Sequence, residues 1–248
     1  AIVSNTIGII FYHGRVHSNF LNDSHKSIRN INQGTNIGKS NETTGEQQAE
    51  FEAQSKIKKK FDEGYVDTIE EAENQEVVLP MLAHTYNENK VDYPFYIQRK
   101  YDGMRMLAFK SDGEVKLYSR KGIEIMTLNH IIKQLENSNI PDGIYDGEAY
   151  GLELGSFQEQ MKAIKKYRKD LTEKINFNIY DIVIKDTPYI SRLQLLNDIF
   201  ENIEEDNILQ CETYHIKNKE ELLKFHKFFI KEGYEGTIIR LPNGLYKI

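Results

Sequence analysis

FYIQRKYDGMR, residues 95–105, is the stretch around which the rest of the chain is read. Phe95, Tyr96 and Ile97 form a short apolar-leaning run that leads to Lys100. Asp102-Gly103 turns the chain, and Met104 to Phe109 leaves as a second apolar run. An Asp-Gly pair between β-rich segments signals strand, tight turn, strand, so a hairpin is expected here. Side chains alternate along a strand, which sets Tyr96, Gln98 and Lys100 on one face. A lysine at a strand end beside glycine leaves a ligand room to approach. An ordinary hairpin with a solvated lysine fits the same residues, and a lone K-x-D-G does not choose between the two.

Composition sets the bounds. The 248 residues suffice for one large domain or two smaller ones. Hydrophobic residues make up 39% and charged residues 28%, with 15 Tyr and 12 Phe, a soluble globular composition with aromatics enough for a core. No apolar run approaches membrane-spanning length, and no signal-peptide pattern is visible. Cys211 is the only cysteine, which excludes an intrachain disulfide and a cysteine zinc site and suggests an intracellular setting. The net charge of −6 argues against a globally basic nucleic-acid binder, though a local basic groove fits on an acidic protein. A start at Ala1 without Met and a stop at Ile248 in mid-pattern suggest a fragment.

Upstream, Ile7 to Tyr12 reads as a strand, and the Asn-, Ser- and Gly-rich stretch 22–42 as loops or short edge strands. Thr44 with Gln47 makes a capping box for a helix whose stripe is Ala49, Ala53, Ile57 and Phe61, ending near Gly64. Lys56 and Lys58 to Lys60 belong on or beside the opposite face, either solvated or against phosphate. Residues 66–76 serve as a linker with a short acidic helical piece. The expected domains are therefore a small α+β module over 1–65 and a second domain over 77–248.

Downstream, Val115 to Arg120 reads as a strand after a second Asp-Gly turn, and Leu128 to Leu135 as a helix. Ile144 to Glu148 is a strand with Asp146 and Glu148 on one face. Two acids so placed repel, so that face meets water, cations or metal. Phe157 to Lys169 reads as a basic helix, and FNIYDIVI (177–184) as a central strand with Asn178 and Asp181 as its polar exceptions. Ser191 is expected to cap a helix running to about Ile203, and Asn218 with Glu221 another that ends before Gly233. Tyr234 to Arg240 closes as a strand. Neighbouring strands are expected to join mostly by hairpins. This favours an α+β fold with largely antiparallel sheets flanked by helices.

Lys100, Arg105, Arg120, Glu148 and Glu235 come from different strand ends. Such a constellation suits chemistry on a phosphate, where a nucleophile sits in line with phosphorus and cations neutralise the oxygens. A lysine nucleophile is protonated at neutral pH, so its pKa must fall. Arg105 and a bound metal would lower it by like-charge repulsion.

KYDGMR (100–105), SRKG (119–122), DGEAYG (146–151), NIYDIV (178–183) and GYEGTIIR (233–240) resemble the ordered motifs of covalent nucleotidyltransferases. Within them they are most similar to ATP-dependent DNA ligases of compact viral or phage type. The likeness spans 77–248 and implies a nucleotidyltransferase or ATP-grasp-like adenylation domain. HGRV (13–16) and the stretch 36–65 resemble a WGR-type module, without its tryptophan, which implies DNA contact or docking for the N-terminal part.

The resemblance makes Lys100 the nucleophile that takes AMP from ATP. It sets Arg105 near the ribose and nick phosphate and Arg120 on phosphate. Glu148 falls on the ribose and on Mg2+, Glu235 on Mg2+, Tyr180 stacked on adenine, and Gln98 at the adenine edge. Lys121 receives no role. Implied partners are ATP, Mg2+ and nicked double-stranded DNA, for a monomer without a membrane. The family's final two-lysine motif and its OB-fold domain would follow GLYKI, which implies a domain cut before them. An RNA ligase, a capping guanylyltransferase and a binding module without chemistry remain as alternatives.

Overall fold

The computed structural model describes residues 7–13, 25–31, 33–62 and 79–247, in two compact units, Ala1–Val77 and Val78–Ile248. Gly14 to Val16 of the HGRV string and the 66–76 linker lie outside the described residues. In the first unit, β1 (Ile7–His13) pairs antiparallel with β2 (His25–Ile31), and α1 (Gly45–Asp62) lies against both. The capping box forms: the Gln47 N–H donates to Thr44 Oγ1 at 3.2 Å, and the Thr44 N–H to Gln47 Oε1 at 3.0 Å. The expected apolar stripe is only half right. Ala49 is buried with Ile31, but Ile57 and Phe61 are exposed while Lys56 and Lys60 are half-buried.

The second unit holds two sheets. One has three strands in the order β10 (Gly236–Arg240), β3 (Phe95–Lys100), β9 (Thr213–Ile216). The other has five: β5 (Glu114–Ser119), β4 (Met104–Ser111), β6 (Gly143–Tyr150), β7 (Asn176–Ile182), β8 (Ile208–Gln210). All pairs are antiparallel except β7 with β8. The helices are α2 (Asn129–Asn137), α3 (Phe157–Lys165), α4 (Lys169–Thr172), α5 (Tyr189–Phe200) and α6 (Lys219–Lys231). The expected α+β class with largely antiparallel sheets is what the chain adopts. Each sheet has its own core: Phe95, Ile97, Ile216 and Phe229 against α6 under the smaller, and a larger set around Leu107's neighbours Met106 and Ala108 under the other. No helix among the described residues is long and apolar enough to cross a membrane.

The central hairpin does not form. β3 and β4 belong to different sheets, so Tyr101-Asp102-Gly103 carries the chain from one sheet to the other. The backbone shows why. A two-residue hairpin of type I′ needs positive φ at both central residues. Asp112 (φ 51°) and Gly113 (φ 81°) meet that requirement and join β4 to β5, whereas neither Asp102 nor Gly103 adopts positive φ. Gly103 is needed for space instead: a Cβ there would lie 2.5 Å from the Ala149 carbonyl oxygen. The wider expectation of hairpin-joined neighbours fails likewise. β3 pairs with β9 and β10, far away in sequence, and β6 reaches β7 through α3 and α4 rather than a hairpin.

Two helices also differ from expectation. The basic helix breaks after Lys165 because Thr172 Oγ1 takes the Arg168 N–H at 2.8 Å and donates to the Ala163 carbonyl at 2.7 Å, competing with the helical ladder. α5 starts at Tyr189 behind Pro188, so Ser191 lies inside its first turn rather than capping it. Asn218 caps α6 as expected, accepting from the Glu221 N–H at 2.9 Å, and Gly233 (φ 92°) follows its end.

Candidate active site

The site is built where the two sheets of the second unit meet. Lys100 ends β3, opposite Gly236 in the ladder, and the Glu235 N–H donates to the Lys100 carbonyl at 2.9 Å. Backbone pairing therefore sets the two side chains together, and Lys100 Nζ forms an ion pair with Glu235 Oε2. Their side chains are 39% and 48% exposed, so a ligand can reach both. From the other sheet, Glu148 on β6 stands opposite Arg105 on β4. The sheet-to-sheet turn presses on Glu148, with the place of a Gly103 Cβ 3.0 Å from Glu148 Cγ.

Burial pushes the Glu148 carboxyl up to about 8. Arg105 opposes that shift, Asp146 adds to it, Lys100 opposes it and Glu235 adds to it. All four charged residues thus act on one carboxyl from both sheets. Arg105 is itself committed to Asp146 through two hydrogen bonds, Nε to Oδ1 at 3.0 Å and Nη2 to Oδ2 at 2.6 Å. Tyr246 donates to Asp146 Oδ2 at 2.7 Å and its hydroxyl accepts the Met81 N–H at 3.3 Å. The two acids of β6 thus divide: Asp146 is fully buried and paired, while Glu148 remains half-open.

Tyr180 and Gln98 lie together, joined by a 3.2 Å hydrogen bond from Gln98 Nε2 to the Tyr180 carbonyl. The Tyr180 ring faces the guanidinium of Arg240 at 5.0 Å and that of Arg105 at 5.8 Å. Its phenol is pushed up by burial and by Asp146 and Glu148, and drawn down by the two arginines. Gln98 is buried with its amide engaged: Nε2 also reaches Thr213 Oγ1 at 2.9 Å, and Oε1 accepts from Arg240 Nε at 3.1 Å. Arg120 follows β5 in an exposed turn. The rung Ser119–Met106–Gly147 sets it at the sheet end that carries Arg105 and Glu148, and it makes no ion pair with a described residue. Lys100, Glu235, Glu148 and Arg105 are therefore brought together, Tyr180 and Gln98 adjoin Arg105 through Arg240, and Arg120 stands at the edge.

Sequence reasoning missed the buried frame behind these residues. Asp181 receives Arg192 through Nε at 2.7 Å and Nη2 at 3.0 Å, and Arg240 through Nη1 at 3.2 Å. Arg192 also donates to the carbonyls of Thr187 and Gly244. The signal was an acid in an otherwise apolar strand, which a folded chain has to pair. No pattern in the sequence says that the partners come from α5 and β10. Tyr246 gave no signal at all.

Among the described residues no group of three or more His, Cys, Asp or Glu side chains is placed to hold a metal. Glu148 and Glu235 supply two carboxylates beside Lys100. That donor set suits a hard divalent cation that also takes phosphate oxygens and water, since magnesium is commonly held by one or two carboxylates plus phosphates.

A family model described as ATP dependent DNA ligase domain matches residues 80–248. A DNA ligase of African swine fever virus (isolate Tick/South Africa/Pretoriuskop Pr4/1996) is 34% identical over 232 residues, 88% of this chain and 53% of that protein. The chain thus spans about half the length of the viral relatives it matches. A prophage-derived DNA ligase-like protein of Bacillus subtilis is 25% identical over 179 residues, 69% of this chain and 63% of that one. Among solved structures, a Chlorella virus DNA ligase-adenylate superposes with a TM-score of 0.55 at 26% identity, covering 69% of this chain and 63% of that one.

Proposed function

This chain belongs to the ATP dependent DNA ligase domain family, and on that premise we propose that Lys100 is the nucleophile that forms a lysyl-AMP intermediate. The observation that carries the reading is the meeting of Lys100 and Glu235 from one sheet with Glu148 and Arg105 from the other. The unprotonated Lys100 Nζ attacks the α-phosphorus of ATP. A nitrogen–phosphorus bond forms, the bond to the β-phosphate oxygen breaks, and pyrophosphate leaves with the bonding electrons. The amine proton goes to solvent or to an adjacent carboxylate, and Glu235 is the nearest.

Before ATP enters, Glu235 holds the ammonium at the strand end. Glu148 and Glu235 are the carboxylates that would hold Mg2+, and such an ion neutralises charge developing on the phosphates. Tyr180 offers an aromatic face for adenine with Gln98 beside its backbone, and Arg120 and Arg105 supply cations for phosphate. AMP then passes to the 5′-phosphate of a nick, and the 3′-hydroxyl displaces it to seal the strand. Nicked duplex DNA is the proposed partner, and the N-terminal module of residues 1–65 is assigned to DNA contact or docking. The solved ligase-adenylate among the similar structures supports the first step.

The test is incubation with Mg2+ and each labelled nucleoside triphosphate, followed by a denaturing gel. Label from α-labelled ATP should stay with the protein and vanish in Lys100→Ala. Label from GTP alone, or label that survives in Lys100→Ala, would overturn the assignment.

A further inference from the structure

Residues 162–169, KAIKKYRK, carry five cations (Lys162, Lys165, Lys166, Arg168, Lys169) and no acid, in a chain whose net charge is −6. The α3–α4 connection presents Lys165 to Lys169 to solvent, Tyr167 among them. Lys162 is tied to Glu159 and Arg168 Nε donates to the Lys162 carbonyl at 3.3 Å. Lys165, Lys166 and Lys169 form no ion pair with a described residue, although 38 acids are available on the chain.

A solvated lysine run needs no fixed backbone, yet this loop is held firmly. Thr172 is buried and bridges the Arg168 N–H to the Ala163 carbonyl. The Thr127 hydroxyl donates to the Ile164 carbonyl, and the Tyr167 hydroxyl to Glu173 Oε1 at 2.8 Å. Upstream, the buried Gln160 amide clamps Gly151, accepting its N–H at 2.9 Å and donating to its carbonyl at 2.8 Å. Gly151 directly follows β6, three residues after Glu148. From Gln160 to Lys165 the helix rises only about 7.5 Å at 1.5 Å per residue. Lys165, where the loop begins, is therefore held little more than one helical turn from the residue clamped to the end of β6.

We propose that the Lys165–Lys169 loop is a docking surface for the phosphate backbone of duplex DNA, holding the substrate beside the strand end that bears Glu148. The proposal rests on the ligase reading for the identity of the partner. Duplex DNA carries one negative charge per about 1.7 Å of axis, so a short fixed loop with three unpaired ammonium groups spans several phosphates at once. Contacts to phosphate orient a duplex without reading its sequence, which suits an enzyme acting on nicks anywhere.

The test compares the unaltered chain with the triple variant Lys165→Gln, Lys166→Gln, Lys169→Gln. Binding to a labelled nicked duplex is followed by anisotropy from 50 to 200 mM salt. Neutralising three phosphate contacts should make the log K against log salt slope shallower by nearly 3, at about 0.9 per contact. Affinity at the lowest salt should fall at least tenfold, while lysyl-AMP formation from ATP alone stays unchanged. The control triple Lys116→Gln, Lys217→Gln, Lys224→Gln removes equal charge from other exposed positions and should change the slope little. An unchanged slope in the first variant, an equal change in the control, or no binding by the unaltered chain at the lowest salt would overturn the proposal. Loss of label transfer in the unaltered chain would count against the nucleotidyl-transfer reading instead, leaving the slope comparison intact.

Discussion

Burial holds the Glu148 carboxyl at about 8, so at neutral pH the free protein keeps a proton there. The unfolded chain releases that proton near 4.5, the ordinary glutamate value. Between those values the folded state binds more protons than the unfolded one, so stability falls as pH rises from about 4.5 towards 8. Each tenfold change in proton affinity is worth about 1.4 kcal/mol, and the half-open setting of Glu148 reduces the yield. In Glu148→Gln this fall should disappear, leaving a difference on the order of 1 kcal/mol or more between pH 5 and pH 8 in urea unfolding of metal-free protein. Parallel pH profiles for the two proteins would show that the site does not strain this carboxyl. Glu148 was legible as a candidate because a strand bearing two acids at alternate positions needs an explanation. Which acid would be buried and paired, and which left open, depended on Arg105 and Tyr246 arriving from elsewhere.

The two Asp-Gly turns separate at the level of the element. Both read alike in sequence, and only 112–113 makes a hairpin. Gly113 sits at φ 81° with nothing within 4 Å of its Cβ position, so Gly113→Ala meets only left-handed backbone strain, about 1–2 kcal/mol. Gly103→Ala forces a methyl group against the Ala149 carbonyl, the Glu148 Cγ and the Tyr150 Cβ. It should cost more stability than Gly113→Ala and also slow lysyl-AMP formation, because the turn sits between Lys100 and Glu148. Thermal unfolding with the gel assay separates the two. Equal midpoints and equal label transfer would contradict this account of the turn. Helix limits were legible where a cap is local, as at Thr44 and Asn218. They were misread where a distant hydroxyl intervened, as Thr172 does after Lys165.

Across the second unit, Asp181 on β7 of the five-stranded sheet ties to Arg240 on β10 of the three-stranded sheet and to Arg192 on α5. Arg240 passes the connection to Gln98 on β3. Asp181→Ala would leave two buried guanidinium groups without their carboxylate, a change that typically costs about 3–5 kcal/mol. Because both sheets share the anchor, the loss should appear as a lowered midpoint for the whole unit in far-UV and tyrosine signals together. A loss under 1 kcal/mol would show that the network adds little to holding the sheets. The residues themselves already carried the lysine at a strand end, the strand bearing Asp146 and Glu148 and the α+β class, since each is a matter of local pattern and spacing. The assignment of β3 and β4 to separate sheets, the pairing of Lys100 with Glu235, the capture of Arg105 by Asp146 and the buried arginine frame arose only on folding. Strand partners far apart in sequence are chosen by packing and by the need to pair every buried charge, and neither is written in the neighbours of any one residue.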